Sequence, residues 1–242
     1  MLTFATVLLL SRLLIFTSSH LTVRLALVNA ELARLNLQYI SDSIVDLVRL
    51  RKWHSSDVEW YSRLIADPDV MRLIGDGKPR TADAAALEIE RFQHEQKTLG
   101  HSRWVGYVLE TGEPIGFIGF SERRGEIDWG GRAFRKFWGT RYMVCSAILA
   151  LDHGLTCCNV PQAVAVIDKT NHSTLGLNAK LGFRECGEGL YFNRRHNRQS
   201  INRGVYITQT RQSNMALLKR LSRVGRSLTV PPHARAEFEA RC

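Results

Sequence analysis

The spacing of apolar positions changes period several times along the chain, and each change marks an element. Leu47 to Trp53 (LVRLRKW) alternates like a half-buried strand. Ser55 or Ser56 then caps a helix opening on Asp57, which turns Val58, Tyr61, Leu64 and Ile65 to one side. Asp67-Pro68-Asp69 ends it, and Val70 to Ile74 makes a short turn. Thr81 caps a further helix over Ala82 to Lys97, with Ala86, Ile89 and Phe92 at helical spacing. Trp104 to Glu110 and Pro114 to Phe120 read as strands joined through Thr111-Gly112-Glu113, a hairpin-type connection. Gly125 to Arg132 is a third strand, whose paired glycines, Gly130 and Gly131, signal a bulge, a close approach by a ligand, or the strand's end.

Trp138 to Tyr142 leads into a helix from Arg141 to His153. Gln162 to Asp168 (QAVAVID) is a short buried strand, and His172 to Leu181 is a helix that Gly182 stops. Arg184 to Asn193 and Gly204 to Thr210 read as the last two strands, with Asn193 to Arg203 as the loop between them. Strand–helix–helix, several antiparallel strands, then strand–helix–strand predicts an α/β domain with a mixed sheet and helices on both faces.

Both ends read as appendages. Leu2 to Phe16 is apolar apart from Ser11 and Arg12, but short for a bilayer span and without a basic segment before it. Residues 1–44 are therefore expected as an apolar extension, either a membrane-contacting segment or no part of the fold. Met215, Leu217, Leu218, Leu221, Val224 and Leu228 recur at helical spacing among basic residues, and Pro231-Pro232 stops the pattern. Residues 212–242 are expected as a basic amphipathic helix packing its apolar stripe on the parent domain, followed by a flexible tail.

Composition narrows the class. The chain is 242 residues long, 45% hydrophobic and 23% charged, the profile of a soluble globular protein. Cys145, Cys157, Cys158, Cys186 and Cys242 form no C-x-x-C pair, so neither a disulfide framework nor a zinc site is expected, and a reducing cytoplasm is the simplest setting. The net charge is +10. Arg211, Lys219, Arg220, Arg223, Arg226, Arg235 and Arg241 outnumber Glu237 and Glu239 at the C-terminal end, a tail suited to RNA, anionic lipid or acidic protein, or to solubility alone.

Four pieces carry a family resemblance: LVRLRKW at Leu47–Trp53, ADPDVMRLIG at Ala66–Gly75, TGEPIGFIGF at Thr111–Phe120, and the run from EIDWGGRAFRKFWGTRYM to DKTNHSTLGLNAKLGF, Glu126 to Phe183. In this order they resemble the GNAT acyl-CoA N-acyltransferase superfamily, in the branch containing ribosomal-protein N-terminal acetyltransferases. The resemblance covers about residues 45–211, expected as the domain. The most specific part is Asn171, with Thr174 three positions on and then LNAKLGF.

The resemblance implies a largely antiparallel sheet and direct transfer of an acetyl group from acetyl-CoA, as co-substrate, to a primary amine, with no metal. The family's phosphate loop corresponds to Lys136-Phe137-Trp138-Gly139-Thr140-Arg141, where small residues let backbone N–H groups approach the pyrophosphate at a helix N-terminus. Arg141 departs from the family's small residue, and Cys145 stands where a Glu is common. Asp128 is the implied base, with Glu126 in reserve on the same face. Backbone N–H groups at Trp129 and Gly130 are implied to face the thioester, freed by a bulge. Thr174 is implied to protonate the departing thiolate and Asn171 to hold the pantetheine, with Tyr191 as an alternative acid. His172 is expected to be exposed.

The acceptor, a protein N-terminus or a small amine, is not legible. Two other readings stay open: a catalytically weakened CoA-binding module, motivated by Arg141, and a basic RNA- or ribosome-associated protein using its tail.

Overall fold

The computed structural model describes residues 47–223, so the Leu2–Phe16 run and the tail beyond Arg223 lie outside the described residues. Seven strands form one sheet: β1 (Val48–Arg51), β2 (Arg103–Val108), β3 (Pro114–Arg123), β4 (Glu126–Ala133), β5 (Gln162–Asp168), β6 (Arg184–Tyr191) and β7 (Arg194–Asn202). Their order is β1-β2-β3-β4-β5-β7-β6, and every pair is antiparallel except β4 with β5.

The helices are α1 (Val58–Ala66), α2 (the single turn Pro68–Met71), α3 (Ala82–Leu99), α4 (Arg141–Thr156) and α5 (His172–Leu181). After β7 come α6 (Arg203–Val205), a π-helical stretch Tyr206–Thr210, and α7 (Arg211–Arg223). Thr81 and Asp67 cap α3 and α2 through their side chains, and Gly182 ends α5 at φ 102°.

Two apolar layers hold the sheet. Under one face, α1 and α3 enclose Trp53, Trp60, Tyr61, Phe92 and Phe117, all buried and in mutual aromatic contact. Asp57 anchors this layer, accepting from both Arg51 guanidinium nitrogens at 2.7 Å, from Trp60 Nε1 at 2.7 Å and from the His54 N–H at 2.8 Å. Burial opposes its ionisation, yet Arg51 and these donors outweigh that and hold the carboxyl below its ordinary 3.8.

On the other face α4, α5 and α7 cover Trp104, Ile118, Phe120 and Trp129. Here α4 approaches β3 so closely that a Cβ on Gly154 would enter the Phe120 ring. The stripe of α7 lies on α4, with Leu218 buried, Asn214 donating to the Leu181 carbonyl at 3.1 Å and Arg211 paired with Asp152 at 2.7 Å.

Three sequence expectations change. The polar run Arg194–Asn202 is strand β7, not a loop, because the turn falls earlier: Phe192 and Asn193 take φ 50° and 59°, the positive pair of a two-residue hairpin. Gly204 to Thr210 is helical, not a strand. Asn202 accepts from the Gly204 N–H at 2.8 Å to start the turn, and Tyr206 is buried with its hydroxyl on Asp152 at 3.1 Å, overriding the β-branched residues around it. Finally, β3 and β4 pair without interruption from Gly116 opposite Ala133 to Arg123 opposite Glu126, so Gly130-Gly131 makes no bulge against β3. Gly131 instead lets the strands close up, since a Cβ there would collide with the Phe117 carbonyl.

Two outcomes follow. Gly154→Ala overpacks α4 against Phe120 and should cost about 1–3 kcal/mol, read from the urea midpoint at constant m. Burial pushes His153, edge-on to Trp104 at 5.3 Å, down to about 4 from 6.5, against the pull of Asp152. The unfolded state therefore binds the extra proton between those values, and stability falls as pH drops through that window. Urea unfolding at pH 5 against pH 7 should show a loss on the order of 1–2 kcal/mol that His153→Gln removes.

Candidate active site

The sheet has one discontinuity. β4 and β5 share a single register pair, Asp128 opposite Val164, although each strand continues for several residues beyond it. The two strands therefore part towards their C-terminal ends and leave a cleft.

The β3 ladder decides which backbone groups face that cleft. Phe134 donates to the Ile115 carbonyl at 3.0 Å, which fixes the alternation, so Asp128, Gly130 and Arg132 direct N–H and C=O to β3. Those of Trp129 and Gly131 point the other way. With the Trp129 amide used in the pairing around Val164, Gly131 presents the first amide in the cleft. This corrects the expectation placed on Gly130, whose amide is turned towards Gly119.

The mouth of the cleft is the segment between β4 and α4. Gly139 takes φ 67° and has open space where a Cβ would stand, and Trp138 is pinned by its Nε1 to the Ala133 carbonyl at 2.8 Å. Thr140 precedes α4 but spends its hydroxyl on the Phe137 carbonyl at 2.8 Å, so no side chain caps the helix and its first turn has no acidic residue. First-turn amides lack intrahelical partners, and here they are left for an anion. Arg141 lies over the Tyr142 ring at 5.6 Å and leaves the Gly139 turn open. Lys136 is engaged by Glu113, and Arg135 by Asp69 at 2.6 Å. Burial pushes the Cys145 thiol, one turn into α4, up to about 11, which keeps it protonated at neutral pH and unfit as a nucleophile.

Asp128 lies on the α1–α3 face. Arg103 binds its Oδ2, and Arg123 stands 3.7 Å from the same oxygen. Arg103 is buried near the Phe92 and Phe117 rings, at 5.9 and 5.8 Å, and burial lowers its proton affinity, which Asp128 offsets only in part. Its Nη2 would be 3.2 Å from a Cβ on Gly130, a close fit that a side chain there would tighten. Glu126 is paired with Arg198 at 2.7 Å, and Arg198 also donates to the Tyr191 hydroxyl at 3.1 Å. Glu126 and Tyr191 thus share one network through a β7 arginine. Beside it, Arg132 bonds Tyr61 at 2.6 Å and Glu88 at 2.8 Å.

Asn171 and Thr174 meet at the start of α5, where Asn171 Oδ1 accepts the Thr174 N–H at 3.2 Å as a helix cap. His172 is exposed. Arg194, next to the hairpin turn, donates to the carbonyls of Arg72 and Gly75 at 2.9 and 2.8 Å and pairs with Asp168 at 3.1 Å, tying β7 to the α2 region.

Sequence reasoning missed Arg103, Arg132 and Asn178, and it placed Arg198 in a loop, not on the strand from which it reaches Glu126. The arginines reach the site from strands far apart in the chain and leave no local signal. Asn178 did leave one: it is the polar member of an apolar stripe with Leu175 and Leu181, and it is 2% exposed.

Comparison with known proteins agrees with this architecture. The profile of the acetyltransferase (GNAT) domain family matches residues 48–184, more than half of the chain. The chain is 26% identical over 144 residues to the Bacillus subtilis uncharacterized protein YkkB, covering 57% of this chain and 83% of that one. Its fold is similar to Mycobacterium smegmatis RimJ in complex with CoA-disulfide (TM-score 0.58, 19% identity, 72% of this chain and 90% of that chain). It is also similar to Vibrio cholerae spermidine N-acetyltransferase in complex with CoA and spermine (TM-score 0.56, 18% identity, 66% and 98%). With a sheet parted between β4 and β5 and an uncapped helix start at the mouth, the chain belongs to the GNAT acetyltransferase family, acyl-CoA-dependent N-acetyltransferases.

Proposed function

We propose that acetyl-CoA lies with its pantetheine arm in the β4–β5 cleft and its pyrophosphate on the first turn of α4, and that a primary amine reaches the thioester from the α1–α3 face. The observation that carries this is the single β4–β5 pair with an uncapped helix N-terminus at its mouth. The Gly131 amide is the backbone donor nearest the vertex, beside Trp129 and Gly130. Gly139, Thr140 and Arg141 meet the phosphates, with Trp138 flanking them, while Asn171 and Thr174 line the cleft from α5. Lys136 stays with Glu113 and contributes only long-range positive charge.

The amine nitrogen attacks the carbonyl carbon directly, and the C–S bond breaks with its electron pair on sulfur. The hydrogen bond of Asp128 with Arg103 falls on Oδ2, which leaves Oδ1 to accept from the incoming ammonium and pass its proton on through water. Glu126 and Tyr191, joined by Arg198, frame the acceptor's approach. The acceptor is a peptide N-terminus or a small amine, the first favoured by the resemblance of the Asn171–Phe183 run to the ribosomal-protein branch.

A second reading, a CoA-binding module with weak turnover, is favoured by the engagement of Asp128 with Arg103 and Arg123. Calorimetry of the full chain with acetyl-CoA tests the shared premise: micromolar affinity is expected, and no binding at high micromolar concentration overturns both readings. Arg141→Glu places a negative charge at the phosphate site and should weaken binding about ten-fold. In Asp128→Asn, acetyl transfer to an amine and peptide panel should fall roughly 10- to 100-fold with acetyl-CoA affinity kept. An unchanged rate would assign Asp128 only to holding Arg103.

A further inference from the structure

We infer that Asn178 is a catalytic residue, whose side-chain amide donates a hydrogen bond to the sulfur of CoA as the thioester breaks. The inference rests on acetyl-CoA occupying the β4–β5 cleft.

Three observations converge on this side chain. It is 2% exposed, and its Nδ2 has no hydrogen-bond partner among the described residues. Leaving a buried amide N–H unpaired is costly, and a leucine would continue the stripe of Leu175 and Leu181 without that cost. The acceptor oxygen serves the buried Trp129 indole, but the fold gives no reason for the NH2 beside it. Its orientation is also fixed: Trp129 Nε1 donates to Asn178 Oδ1 at 3.3 Å, and since an indole only donates, the oxygen faces Trp129 and the NH2 faces away from it. Trp129 in turn is wedged between Phe120 and Phe183, at 5.0 and 5.9 Å between ring centroids.

Position supplies the chemistry. Trp129 follows Asp128, the residue at which β4 meets β5 before the two part. Consecutive strand side chains leave by opposite faces, so Asp128 stands on the α1–α3 side and Trp129, with Asn178, on the α4–α5 side. An amine approaching beside Asp128 attacks one face of the thioester carbonyl, and as that carbon becomes tetrahedral its other substituents, the sulfur among them, bend towards the opposite face before the C–S bond breaks. There the unpaired N–H of Asn178 waits in apolar surroundings, where a hydrogen bond to developing charge is strongest.

An amide cannot give up its proton at neutral pH, so the sulfur leaves as the thiolate. The bond formed is N–C and the bond broken is C–S. The amine's proton goes to solvent through Asp128 and water, and the thiolate recovers a proton from solvent after release. Thr174, half-exposed one turn earlier on α5, then holds the pantetheine arm and gives no proton to the sulfur.

The test compares CoA with desulfo-CoA by calorimetry at pH 9, on the full chain and on Asn178→Leu. The substitution should weaken CoA roughly 10-fold or more and leave desulfo-CoA within two-fold. Equal loss for both ligands would make Asn178 structural and overturn the inference. If the unsubstituted chain binds neither ligand, the failure belongs to the cleft reading, not to Asn178. Asn178→Asp keeps the acceptor for Trp129 while removing the N–H and should behave as Asn178→Leu does. For a readout that needs no variant, the thiolate absorbance of bound CoA should titrate at lower pH than that of free CoA, and an unchanged titration would overturn the inference. In acetyl transfer, both variants should lose about 10- to 100-fold in kcat with KM kept within a few-fold.

Discussion

A strand pair that stops after one register position leaves backbone donors and acceptors unpaired inside the domain, and the arrangement of the remaining structure follows from that cost. β4 and β5 meet at one pair only, while each is held firmly along its other edge. Eight successive pairs bind β4 to β3, from Gly116–Ala133 to Arg123–Glu126, and seven bind β5 to β7, from Gln162–Asn202 to Asp168–His196. The twist of the two half-sheets then carries the free ends of β4 and β5 apart. Both segments that follow those ends place a helix start at the mouth, α4 after β4 and α5 after β5. An extended ligand with hydrogen-bonding amides along its length and an anion at one end satisfies the exposed groups together.

The charged groups obey a related constraint. Arg103, Arg132 and Asp57 lie against an aromatic layer where an isolated charge is expensive, and each has an opposite partner: Asp128, Glu88 and Arg51. These pairs fix side chains in position more than they add stability. Burial opposes ionisation of Glu88, yet Arg132 and Tyr61 outweigh it and keep its carboxyl below the ordinary range, while Tyr61 is pushed up and stays a donor. The α1–α3 side of the sheet is thus a polar surface of paired charges under β3 and β4, with Asp128 at its edge.

How much of this was legible follows from how local each signal is. Periodic apolar segments were readable to within a few residues: the helix expected over Ala82–Lys97 spans Ala82–Leu99, and the strand Gln162–Asp168 is as expected. Gly182 was readable because a left-handed stop has a local steric cause. β7 was not, because His196 and Gln199 occupy buried positions in it and erase the apolar alternation. Tyr206 misled for the opposite reason: its neighbours look like a strand, and only the distant Asp152 decides otherwise. In the site, Asp128 could be found from motif position, but Arg103 lies 25 residues from it and Arg198 lies 72 from Glu126. The pair Gly130-Gly131 stands out in the sequence, but the amide direction that separates the two is set by the β3 register, which exists only once the sheet has formed.

Arg141 shows how the helix and the site share one energy balance. A cation in the first turn of a helix opposes the helix dipole by about 0.3–1 kcal/mol, and α4 has neither an acidic residue there nor a side-chain cap to offset it. Its stacking over Tyr142 recovers part of that cost without filling the Gly139 turn. The arrangement is unfavourable for the empty protein and favourable once a doubly charged pyrophosphate sits on the same amides, since the dipole and the guanidinium then attract one ligand. With the pyrophosphate placed as proposed, the departure from the family's small residue at this position transfers stabilisation from the free helix to the complex.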